Sequence, residues 1–171
     1  MSDLVALANR KLTLAAEERV RAIPAELKAM KAELAPKGLA KSGAALKRGQ
    51  ALCVRHIKEH GEAVATEYKW AVGQALTASQ SWANEVAAGA AAQFEPLLTA
   101  ARLHLTKLAA FTGRPDLSDR LVSEIESEVR VAEERVKLAV QAAFAERSRG
   151  LLRSLLATAG GLLGRLTRPG P

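Results

Sequence analysis

The chain has 171 residues, with 25 Lys and Arg against 18 Asp and Glu, a formal net charge of +7 and only 4% aromatic residues. Cys53 is the single cysteine, which excludes an intrachain disulfide framework. Sparse aromatic and β-branched residues exclude an all-β domain, and alanine at about a fifth of the chain points to thin, close-packed helices.

The first element is a helix over about residues 3–35, with Ser2 or Asp3 placed to cap it. Ala16, Val20, Ile23, Leu27, Met30 and Leu34 recur at steps of four and three, which is one face of a helix. Pro24 lies inside that pattern. Lacking an N–H and crowding the preceding turn, it predicts a kink or a restart. Ala35-Pro36-Lys37-Gly38 then ends the helix and supplies a turn.

Residues 40–112 form a second helical stretch. Leu46, Cys53, Ile57, His60, Val64, Ala71, Ala75, Ala78, Trp82 and Val86 fall on one stripe, resumed by Leu97, Ala101, Leu105 and Leu108. One straight helix of that length is not expected. Five glycines each lower helix propensity by about 1 kcal/mol relative to Ala, and Pro96 is the strongest single breaker. Thr77-Ala78-Ser79-Gln80 has capping-box spacing, so at least one break is expected between residues 58 and 97. Trp70, Trp82 and Tyr68 are expected to fill gaps between alanines inside the bundle.

Gly113-Arg114-Pro115-Asp116 is the clearest punctuation in the chain. A third helix over about residues 116–147 follows, with Asp116, and Asp119 three residues on, placed to cap it. Its expected seam is Val122, Ile125, Val129, Ala132, Val136, Ala139 and Ala143, flanked by an acidic face of Glu124, Glu126, Glu128, Glu133 and Glu134. The fold expected is all-α: an antiparallel bundle, or coiled-coil-like arrangement, of three to four long helices over residues 1–147. A basic amphipathic helix and short tail occupy 148–171.

Charge is concentrated in two places. Residues 36–58 carry Lys37, Lys41, Lys47, Arg48, Arg55 and Lys58 with no acid, and residues 147–171 carry five arginines with no acid. Such asymmetry reports a partner or a neighbouring element rather than a fold. The first segment is a candidate basic patch for phosphates, although no aromatic residue lies among its bases to stack on nucleobases.

The terminal segment carries the most functional information. At about 100° per residue, Leu151, Leu152, Leu155, Leu156, Ala159, Leu162, Leu163 and Leu166 gather within an arc of about 140°. Arg149, Arg153, Arg165 and Arg168 lie outside that arc. An apolar face opposite a cationic one suits an anionic membrane surface, and the uncharged stretch Ser154–Gly164 is only eleven residues, too short to span.

Cys53, His56 and His60 lie on one side of a helix and are the candidate metal ligands of the chain, since thiolate and imidazole suit zinc. His56-Ile57-Lys58-Glu59-His60 also matches the H-x-x-E-H pattern of inverted zinc metallopeptidases over five residues. A third carboxylate ligand has no assignable position, and Arg55 and Lys58 add positive charge beside a dication. The adopted reading is therefore an inward-facing stripe, with no catalytic residue, no metal and no cofactor. The expected function is that of a non-enzymatic interaction or scaffold protein. It docks through its Leu/Arg helix on an anionic membrane surface, an apolar particle or a protein partner, with self-assembly into a homo-oligomer compatible. The alternatives are a basic helical nucleic-acid-binding protein and a small Cys/His metal-binding protein. No signal or transit pattern is read at the amino terminus, so the expected setting is cytoplasmic, peripheral at a membrane where the terminal helix docks.

Overall fold

A computed structural model describes the backbone of residues 3–75 and 79–166, and side chains within those ranges as far as Gly150. Five helices follow one another: α1 (Asp3–Leu34), α2 (Gly43–Gln74), α3 (Gln80–Ala88), α4 (Ala90–Phe111) and α5 (Ser118–Leu166). Because α3 and α4 meet at Gly89 and act as one arm, the molecule is an all-α bundle of four packed arms. The candidate cap Ser2 and the stripe residue Ala78 lie outside the described residues.

The turns between arms follow their sequence. At the end of α1, a 3-10 turn over Ala35–Lys37 leads into Gly38 at φ 68°, and Leu39 N donates to Leu34 O at 3.0 Å. At the end of α4, Gly113 adopts φ 75° and Arg114 N donates to Ala109 O at 2.9 Å. Both are left-handed glycine caps, a backbone conformation that a Cβ disfavours. Asp116 does not cap α5: its carboxylate takes the Arg114 guanidinium at 2.9 Å.

The expected break in the middle stretch falls between Gln74, where α2 ends, and Gln80, where α3 begins. Ala75 and Ser79 are extended, and Ser79 Oγ accepts from Trp82 N at 3.1 Å, capping α3. α2 and the α3–α4 arm run antiparallel, with Gly49 against Leu108 and His60 against Gln93.

Two sequence expectations are corrected here. Neither Pro24 nor Pro96 restarts a helix; α1 and α4 run through them. Both prolines sit on exposed faces, where water can satisfy the carbonyl each one frees. The seam of α5 is Leu121, Ile125, Val129, Ala132, Val136 and Val140: the expected Ile125, Val129, Ala132 and Val136 hold, and Leu121 and Val140 replace Val122 and Ala139. Half-buried Val122 and Ala139 sit beside the stripe that faces α2 and α4.

α2 is the central arm, packing on α1, α4 and α5, while α1 and α5 take opposite corners. The α1–α2 register is antiparallel, marked by Lys11–Glu67 at 3.0 Å, Arg19–Glu59 at 2.5 Å, Arg55–Glu26, and Arg48–Glu33 at 2.8 Å. α5 runs antiparallel to α4, with Arg102–Glu126 at 2.6 Å and Thr106–Ser118 at 2.9 Å. It therefore runs parallel to α2, which it meets through Gln50–Glu124 and Lys58–Glu128 at 3.5 Å.

Small residues set the approach distances. A Cβ on Gly49 would stand 2.3 Å from Leu108 Cδ2, and one on Gly61 would stand 3.2 Å from Ala132 Cβ. The larger side chains Leu12, Ile23, Ile57, Tyr68, Phe94, Leu97, Leu105 and Ile125 fill the rest of the core. Tyr68 keeps its hydroxyl satisfied by donating to Asn9 Oδ1 at 2.8 Å, an oxygen that also accepts from Gln93 Nε2 at 3.4 Å. Trp82 is half-buried against the core. Trp70 does not pack inside: its ring is 37% exposed, with Lys11 Nζ 4.9 Å from the centroid.

Candidate functional site

The basic segment predicted from sequence is drawn into the bundle's own electrostatics. Arg48 forms a two-pronged pair with Glu33 at 2.8 and 3.0 Å, and Lys37 reaches the same carboxylate at 3.7 Å. The two cations hold the Glu33 carboxyl below its ordinary value, the Arg48 contact being the larger cause. Arg55 pairs with Glu26 and lies 3.7 Å from Glu59, and Lys58 reaches Glu128 across the α2–α5 seam. Four of the six bases are thus matched by carboxylates of α1, α2 or α5. Between α1 and α2 the Arg48–Glu33 and Arg55–Glu26 pairs line an open groove of about 530 Å³ together with Ala29, Met30, Ala51 and Leu52. Lys47 is exposed, and Lys41 lies over the Phe111 ring at 5.6 Å.

Cys53, His56 and His60 all face inward from α2, at 0%, 4% and 0% exposure. Burial pushes the Cys53 thiol up to about 12, so the sulfur stays protonated at neutral pH and is a poor metal ligand in that state. Desolvation pulls both imidazoles below their ordinary value, with Glu26 opposing it at His56 and the Gln93 carbonyl opposing it at His60. His60 Nε2 lies 3.0 Å from Gln93 O, donating in the tautomer that carries its proton there, and the ring packs edge-on against Phe94. His56 Nε2 stands 3.3 Å from Glu26 Oε1, in ion-pair range but without hydrogen-bond geometry. Among the described residues no three His, Cys, Asp or Glu side chains converge as a ligand set. The cluster is a core stripe, with polar atoms held between α1, α2 and α4.

The Leu/Arg segment continues α5. The helix is 49 residues long against 32 for α1 and for α2, and it runs without interruption across Arg147 to Leu166. The side chains of Leu151, Leu152, Arg153, Leu155, Leu156, Leu162, Leu163, Arg165 and Leu166, and all of Arg168, lie outside the described residues. Arg149 is exposed, and Ser148 Oγ donates to Phe144 O at 2.9 Å. Among the described residues no helix is long and apolar enough to cross a membrane.

One assembly was missed by reading the chain linearly. Lys31 of α1 and His104 and Lys107 of α4 line a groove between those helices, and Lys41 joins them over Phe111. The four are spread over 77 positions of sequence, so no local charge run marks them. Only the parallel alignment of α1 with α4 brings them together.

Comparison of the chain with protein-family models, with curated proteins and with solved structures finds no match. The functional reading therefore rests on the residues and their geometry.

Proposed function

We propose that the chain is a non-enzymatic interaction protein, a helical bundle that attaches to an anionic membrane surface through the Leu/Arg segment ending its longest helix. The observation that carries this reading is the unbroken helical backbone of α5 to Leu166. Only on a helix does the sequence spacing gather seven leucines and Ala159 on one side and the arginines elsewhere. Burial of each leucine side chain in the acyl boundary contributes about 1.5–3 kcal/mol if complete, and the arginines add attraction to lipid phosphates. An apolar particle or a protein groove would offer the same burial without the dependence on anionic charge.

Co-sedimentation with vesicles tests the proposal. The full chain is expected to pellet with anionic vesicles and much less with neutral ones, and Leu155→Glu with Leu162→Glu is expected to stay in the supernatant with its helicity retained. Equal binding by the variant and the parent chain would overturn the assignment of the segment as anchor.

A further inference from the structure

The groove between α1 and α4 has a charge pattern unlike its neighbours. It encloses about 160 Å³ and is lined by Pro24, Leu27, Lys31, His104, Lys107 and Leu108. Lys31 Nζ stands 5.0 Å from the centroid of Phe111, a ring 40% exposed at the mouth of the turn, and Lys41 Nζ stands 5.6 Å from the same ring. Three ammonium groups and an imidazole are thus supplied by α1, the loop before α2, and α4.

Among the described residues no carboxylate lines this groove. α4 carries no acid after Glu95, and the acids of α1 in this stretch, Glu26 and Glu33, face α2, where they engage Arg55, His56 and Arg48. On the α5 side of α4, Glu126 is taken by Arg102. Among the described residues the ion pairs leave out Lys31, Lys41 and Lys107. Burial lowers the affinity of His104 for a proton, and the charges of Lys107 and Lys31 lower it further. Gathering like charges opposes folding unless something else neutralises them, and the cation–π contacts with Phe111 offset only part of the repulsion.

We propose that the α1–α4 groove is a phosphate-binding site, in which Lys31 and Lys107 contact the phosphate oxygens, His104 donates as an imidazolium, and Lys41 closes from the loop. A dianionic phosphate balances several point charges at once, whereas a single carboxylate would leave most of them unmet. Lysines without a guanidinium favour a tetrahedral oxyanion approached from several directions over the planar fork preferred by carboxylates. The volume is below the roughly 300–1,000 Å³ of a pocket for a whole drug-sized ligand, so it accepts a free phosphate or the head of a larger molecule. The site lies on other helices than the terminal anchor and does not depend on it.

The test follows the His104 imidazole by NMR in the full chain, with His56 and His60 as internal controls. Inorganic phosphate is compared with sodium chloride at matched ionic strength. The midpoint of His104 is expected to move up by about one pH unit on saturation, because a bound anion favours the charged ring. His56 and His60 are expected not to follow. Lys31→Gln with Lys107→Gln should lose at least tenfold in phosphate affinity while circular dichroism shows the helices intact. A second arm uses vesicles containing phosphatidic acid, with Leu155→Glu and Leu162→Glu present to remove the terminal anchor. A response to these vesicles but not to free phosphate makes the ligand a lipid headgroup, and a response to both makes the phosphate itself sufficient. No selective response in either arm, or undiminished affinity in the double-lysine variant, would overturn the site.

Discussion

Gly49 shows how much one missing Cβ decides. A methyl group there would meet Leu108 Cδ2 at 2.3 Å and Leu27 Cδ2 at 3.3 Å, so the buried Leu108 side chain would have to shift to admit it. Gly49→Ala is expected to destabilise the bundle by about 1–3 kcal/mol through overpacking. Gly73, also helical but with nothing within 4 Å of its would-be Cβ, is expected to gain about 0.5 kcal/mol as Ala, the usual helix preference. Urea denaturation of the two variants checks both signs. The buried imidazoles give a second expectation. His56 and His60 bind protons less readily folded than unfolded, so the unfolded chain takes up more protons as the pH drops. Their contribution is fully present above the unfolded value of about 6.5 and is lost as the pH falls below it toward the depressed folded values. The urea midpoint should therefore be lower at about pH 5.5 than at about pH 7.5. His60→Gln, which can still donate to the Gln93 carbonyl, should flatten part of that dependence. An unchanged midpoint would show that the imidazoles are not held neutral. At this scale the sequence was only partly readable. The spacing of Ile57, His60, Val64 and Ala71 anticipated the core stripe that Tyr68 also shares, but Trp70 follows Tyr68 by two residues, about 200° around the helix. Size and hydrophobicity suggested burial for Trp70, and the periodicity already pointed it outward.

Among the elements, the break between α2 and α3 matters most, because it divides one long helical stretch of sequence into two arms and makes a four-arm bundle. Ser79 holds the restart by accepting from Trp82 N. Ser79→Ala is expected to cost about 0.5–2 kcal/mol, with faster amide exchange confined to the first turn of α3, measurable by hydrogen–deuterium exchange. A break in this region and the glycine turns at 38 and 113 were legible in the sequence, but the cap is Ser79 and not Thr77, which lies outside the described residues. The prolines misled as helix ends, since a proline inside a helix removes one hydrogen bond and crowds the preceding turn, which can bend a helix without ending it. Pro24 and Pro96 both stand on exposed faces, a property of packing and not of local sequence. The α5 seam was displaced at Val122 and Ala139 for a related reason. Adjacent valines and leucines at 121–122, and Ala139 beside Val140, offer two stripes of similar hydrophobicity, and contact with α2 and α4 selects one.

For the molecule as a whole, pairing between arms rearranges the charge that the linear sequence concentrates at 36–58. Arg48, Arg55 and Lys58 spend their charge on Glu33, Glu26 and Glu128, while Lys31, His104 and Lys107 assemble a new cationic groove from distant positions. Neither result could be read linearly, because which helix faces which is a property of the fold. The Leu/Arg pattern at the end of α5 is the opposite case, local and legible from spacing alone. The central claim is that this segment attaches to an anionic surface while the bundle stays folded. The most direct measurement is hydrogen–deuterium exchange along the full chain, alone and with anionic or neutral vesicles. The account predicts that protection of amides 151–166 rises with anionic vesicles and much less with neutral ones, while the buried turns of α2 around Ile57 and Val64 keep the protection they had. Unchanged protection across 151–166, or a loss of protection in the core on binding, would contradict it.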